Sequence, residues 1–240
     1  MKKDEKNLLI LIGIGILLVW LNKGMSLYDI IPPTTYTLNA VNLGDTYVTD
    51  YSTYDDTNYG NENVLYVLDQ SAYEKRTYIL WNISVLPTNA IITNAQLGLY
   101  KYQALASGLI LAYGTSAEWT ENSLTWNNQP SSGTSQSSTS VLSTGWYYWD
   151  VTNAAESALS QGKMSVRIVD VNNIGQNFVF CSRHATGSPT ACDLTKRPTL
   201  VITYFIQANP PTPSEIDIFA IFNQLWNMLW SSLKALFGWA

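Results

Sequence analysis

Ala95-Gln-Leu-Gly-Leu-Tyr-Lys-Tyr102 alternates along its length, which is the period of a half-buried β-strand. Leu109 to Ala117 reads as its partner strand. Upstream, Leu86-Pro-Thr-Asn89 turns the chain, and Arg76 to Ile83, Val64 to Leu68 and Thr46 to Tyr51 read as further strands. Downstream, Val141 to Asp150, Met164 to Asp170, Asn177 to Ser182 and Thr199 to Ile206 continue the pattern. Ser131 to Ser140 reads as a low-complexity loop, and Val151 to Ser160 as one short helix closed by Gly162. About nine short strands with few helices predict an all-β, jelly-roll-type antiparallel β-sandwich over 35–207.

Two apolar ends flank this body. Leu8 to Leu21 carries no charge and comes after Lys2, Lys3 and Lys6. As a helix it spans about 21 Å, short of a hydrocarbon core of about 30 Å. Residues 1–26 are therefore expected to be either an uncleaved anchor, with Leu8, Ile12, Ile16 and Trp20 in lipid, or a signal segment. The lysines predict a cytoplasmic start and export of the rest of the chain. Residues 208–214 are a Pro-rich linker, and 215–240 read as an amphipathic helix. Its apolar face includes Phe222, Trp226, Leu229, Trp230 and Leu233. That helix has three readings: lying in a membrane plane, binding a partner or another copy, or folding back on the domain.

Composition narrows the function. Only 13% of residues are charged, well below the usual quarter, while Tyr 15 and Trp 9 are abundant. A net charge of −5 without a basic stripe argues against nucleic acid. Low charge with hydroxyl-rich strands fits an extracellular protein, where Cys181 and Cys192 are expected to pair. Nucleophilic triads and zinc sites need histidine, and His184 stands alone. Glu118 and Glu121 are the carboxylates nearest to a hydrolytic pair, but the chain is not read as an enzyme.

Sugar binding needs flat aromatic faces and a few fixed polar groups. Tyr51, Tyr54, Tyr59, Tyr66, Tyr73, Trp119, Trp126, Tyr147 and Trp149 are available, most of them read as packing residues. Arg76, Trp119, Trp126 and Arg183 are the candidate ligand contacts. No cofactor is required by these motifs. Asp55, Asp56, Asn58, Asn61 and Glu62 place oxygen donors in one loop that suits structural calcium, with Asp45 or Asp50 as further donors. The same residues also build a polar turn without an ion.

One set of blocks runs in order along the chain: Asp45-Thr-Tyr-Val48, Asn58-Tyr-Gly60, Arg76 to Ser84, Leu86-Pro87 and Ile92 to Tyr100. Trp119-Thr-Glu121 with Leu124-Thr-Trp-Asn-Asn-Gln-Pro130, Trp146 with Asp150-Val-Thr152, Phe180-Cys-Ser182 and Arg197 to Tyr204 complete it. This set resembles the DNRLRE, or disaggregatase-related, domain, which is classed among carbohydrate-binding modules. The resemblance implies a β-sandwich at the cell surface, often attached to polysaccharide-degrading enzymes, with acidic polysaccharides bound by some members. Trp81-Asn82 stands where Phe-Asp is usual, and Arg183-His184 where an acidic residue often comes after the serine. The expected protein is a membrane-anchored, extracellular module for polysaccharide or glycan. The alternative is a surface-layer, filament or virion component that assembles with its own copies.

Overall fold

The computed structural model describes residues 34–71, 73–187 and 191–206, together with 223, 224, 226, 227 and 230. Two compact units are distinguished, 33–207 and the combination of 1–32 with 208–240. The larger unit is an all-β sandwich of antiparallel strands with one short α-helix.

Among the described residues eleven strands build it. They are β1 Thr35–Asn39, β2 Val41–Thr49, β3 Val64–Gln70, β4 Tyr73–Asn82, β5 Ala90–Lys101 and β6 Gly108–Thr115. The series continues with β7 Thr134–Val141, β8 Gly145–Asp150, β9 Lys163–Asp170, β10 Phe178–Cys181 and β11 Thr199–Ile206. Helix α1, Thr152–Ala158, comes after β8 and ends in a 3-10 turn closed by left-handed Gly162.

The first sheet joins β1 to β11, β11 to β5, and β5 to β8 and β10. The second joins β2 to β4, β4 to β9, β9 to β6 and β6 to β7. Strand β3 belongs to both, pairing β10 through Val64–Val67 and β4 through Leu68–Gln70. Contrary to expectation, the 109–117 strand does not pair with the 95–102 strand; β6 pairs β7 and β9 instead. The 102–107 connection crosses from one sheet to the other. The 131–140 stretch, expected as a loop, forms β7 from Thr134 onward, and β1 is a strand that apolar patterning does not reveal.

Alternation sets the core. Leu97 and Leu99 face inward from β5 and meet Ile79, Trp81, Trp149, Val166 and Phe180. A second, smaller core lies on the outer side of the second sheet, where Val48, Tyr78 and Leu80 meet Ala117, Trp119 and Leu124. Cys181 and Cys192 are joined by a disulfide and share a third cluster with Val64, Val179 and Ala185. The chain enters and leaves the sandwich at one pole, because Thr35 lies opposite Phe205 in the β1–β11 pair. The opposite pole is tied by buried Lys101, whose ammonium donates to the carbonyls of Ala106 and Leu142.

Among the described residues no helix is long and apolar enough to cross a membrane. Leu8, Ile12, Ile16, Trp20, Phe222, Leu229 and Leu233 lie outside the described residues. Trp226 and Trp230 are helical, and their rings lie 6.4 Å apart, one turn from each other.

Candidate functional site

The 116–130 segment lies across the outer face of the second sheet, and the sequence fixes it there residue by residue. Trp119 is 8% exposed, meets Tyr78 edge-on at 6.2 Å and donates its indole N–H to Ser165 Oγ at 2.9 Å. Asn58 Nδ2 donates to the carbonyls of Glu121 and Leu124, each at 2.8 Å. Trp126 N–H donates to the Asp55 carbonyl at 2.9 Å, and Asn127 Nδ2 to Asp56 Oδ1 at 2.7 Å. The segment therefore has two chemically different ends.

One end is a carboxylate clasp. Glu121 Oε2 accepts from Arg183 Nη1 at 2.7 Å, and Glu121 Oε1 accepts from Asp45 N–H at 2.9 Å and sits 3.2 Å from His184 Nε2. Asp45 is buried, with Oδ1 accepting from Ser182 Oγ and Oδ2 from Arg183 N–H and Asn42 Nδ2. Burial pushes the Asp45 carboxyl up to about 6, against the pull of those donors and with a small push from Glu121. Among the described residues no buried side-chain polar atom of this clasp lacks a partner, so its ordinary work is to hold the loop, β2 and the 182–184 turn together.

The other end is an arginine–aromatic cluster. The Arg76 guanidinium lies 4.3 Å above the Trp126 ring, pairs with Glu74 at 2.6 Å and donates to Gln129 Oε1 at 3.2 Å. Gln129 Oε1 also accepts from the Tyr78 hydroxyl at 2.8 Å. Arg167 on β9 stands opposite Tyr78 on β4 and lies 5.0 Å over the Tyr113 ring. Arg76 and Arg167 are diagonal neighbours on one face, a relation that places such residues about 7–8 Å apart. Burial pushes the Tyr78 phenol above its ordinary value, and Arg167 and Arg76 pull it part of the way back.

Arg167 is the unusual member. It is only 6% exposed, its Nε has no hydrogen-bond partner, and among the described residues no carboxylate pairs with it. A buried guanidinium without an acid is costly, and an incoming carboxylate would relieve it. The cluster thus gathers two guanidinium groups and two aromatic rings on one face, with Arg76 a quarter exposed and paired with Glu74 and Arg167 buried.

The four candidate contacts adjoin this one segment, in different roles. Arg76 and Trp126 come together, Arg183 belongs to the clasp, and Trp119 is part of the second core. Arg167 and Tyr113 carry no signal in the sequence that marks them as site residues, whereas Gln129 lies in the Leu124–Pro130 block without being singled out. In the proposed calcium loop, Asn58 Oδ1 accepts from Gly60 N–H and Asp56 from Asn127. Among the described residues no group of three or more His, Cys, Asp or Glu is placed to share a metal ion. A separate groove of about 420 Å³ runs beside α1, lined by Glu118, Lys163, Gln136, Gln161, Met164 and small residues, without an aromatic ring.

Residues 34–204 match the model of carbohydrate-binding module family 96, and the chain belongs to that family. That membership supports carbohydrate binding, and with it the module character that the sequence resemblance implies. Comparison with curated proteins gives no match to this chain.

Proposed function

We propose that the chain is a non-catalytic module of DNRLRE type that captures an acidic polysaccharide on the outer face of its second sheet. The arginine–aromatic cluster carries this reading: Arg76, a quarter exposed, lies over the Trp126 ring, and Arg167 and Tyr113 adjoin it on the same face. Arg76 receives an acidic group, and Trp126 and Tyr113 supply apolar faces to the sugar rings. The lipid-facing residues expected at 1–26 and 215–240 tether the module to a membrane, with the sandwich outside the cell. The side-by-side placement of Thr35 and Phe205 at one pole of the sandwich favours such a tether.

Binding is read by titration of the full chain, in detergent, with polygalacturonate. Arg76→Gln keeps the fold and is expected to weaken binding about tenfold, the loss of one charge-assisted contact of about 1.5 kcal/mol. Binding is also expected to weaken as salt rises. Wild-type protein that binds no acidic polymer at low salt would end this proposal.

A further inference from the structure

A second surface carries rings that the acidic site does not use. On the outer face of the first sheet, Gly98 and Tyr100 of β5 stand opposite Tyr148 and Trp146 of β8. Tyr148 is 48% exposed. Its plane lies 15° from that of Trp146, with centroids 6.2 Å apart. The two rings are therefore nearly parallel neighbours on one face of the strand. Trp146 in turn stands at 78° to Tyr100.

Gly98 makes the surface flat. A Cβ there would lie 3.0 Å from Tyr148 Cε1 and 2.5 Å from Thr199 Oγ1. The Tyr148 ring therefore packs close over backbone that has no side chain, and is still about half exposed. Exposed Gln96 and Thr199 place an amide and a hydroxyl beside the rings.

Charge selects the ligand. Lys196 lies 5.1 Å over Tyr100, but its ammonium is already paired with Asp193 at 3.2 Å and bonded to the Ala191 carbonyl at 2.7 Å. Asp150, next in phase on β8, would repel a polyanion. This face therefore suits an uncharged chain, unlike the arginine cluster on the other sheet.

We infer that the first sheet's outer face is a second binding site, for a neutral polysaccharide whose pyranose rings lie flat on Trp146 and Tyr148. The inference stands on this strip alone and does not need the acidic site to be correct.

Affinity electrophoresis of the full chain in detergent tests it, with hydroxyethylcellulose in one gel and polygalacturonate in another. Wild-type protein is expected to be retarded by the neutral glucan. Trp146→Ala with Tyr148→Ala should restore the mobility seen without polymer. Tyr148→Ser, at an exposed ring, should weaken retention about tenfold, as truncation of an aromatic anchor does. Thermal melting of each variant shows whether it folds. Wild-type protein unretarded by hydroxyethylcellulose, or folded Tyr148→Ser retarded as strongly as wild type, would overturn the inference. Failure of the acidic reading would appear in the polygalacturonate gel and leave this result intact.

Discussion

Asp45 is 1% exposed, and its carboxyl is held near 6 rather than its ordinary 3.8. A group raised on folding binds its proton more tightly in the native state. Its stabilising effect is complete below the unfolded value of 3.8 and is lost as pH rises through about 6. The size is on the order of 2–3 kcal/mol for a shift of this extent. Asp45→Asn should flatten this part of the stability profile, measured as denaturant midpoints between these two pH values; an unchanged slope would remove Asp45 as its source. Gly60 is the neighbouring test of packing. A Cβ there would lie 2.3 Å from the Glu121 carbonyl oxygen, so Gly60→Ala must push the clasp open. A loss of about 1–3 kcal/mol is expected from overpacking, read by denaturant melts.

Residue roles are legible in the sequence only where packing leaves one option. Trp119 and Trp126 sit in a motif that marks them, but nothing in that motif separates buried Trp119 from Trp126 on its arginine. Arg167 lies within Lys-Met-Ser-Val-Arg-Ile-Val-Asp, where alternation predicts a side chain pointing away from the core. That is its direction, yet Tyr78 and Tyr113 cover it, and such cover comes from other strands. Tyr147 and Trp149 stand among the aromatics available for sugar contact, whereas Trp149 is fully buried and Trp146 and Tyr148 face out. In a strand with aromatics at four successive positions, a phase error of one residue exchanges the two faces.

At the scale of elements, apolar alternation locates most strands and fails where it is absent. Strand β7, Thr-Ser-Gln-Ser-Ser-Thr-Ser-Val, is nearly all hydroxyl and amide, so nothing in it announces a strand. Pairing with β6 forms it, and tertiary context overrides composition. The expected β5–β6 hairpin fails because strands adjacent in sequence need not be adjacent in space. The 50–63 loop, a calcium candidate by its oxygen donors, rests on Asn58, which bonds to the 116–130 segment. Since Asn58 and Asp56 already bond to protein groups, we expect melting temperatures in calcium and in EDTA to agree within a degree or so, because a site bound at one hundred times its Kd would add about 2.7 kcal/mol. A calcium-dependent rise would return the loop to the status of an ion site.

For the whole molecule, the disulfide ties the turn at 182–185 to the body of the sandwich. It holds Arg183 and His184 at Glu121, and its sequence separation of 11 makes it worth about 2–3 kcal/mol by chain entropy. Cys181→Ala with Cys192→Ala should lower stability by that amount and also weaken the pH slope ascribed to Asp45. Calorimetry across that pH range reads both effects together. If the double variant melted at the wild-type temperature, the bridge would be dispensable and the clasp self-sufficient.

The side-by-side placement of Thr35 and Phe205 also sets how the sandwich answers mechanical load. Pulling residues 34 and 206 apart would strain the β1–β11 ladder from one end, so its rungs would fail singly, as a zipper opens. Drag exerted on a captured polymer and resisted by both flanks at a common surface would instead draw β1 and β11 the same way. The β11–β5 ladder is then loaded lengthwise, with its rungs sharing the force.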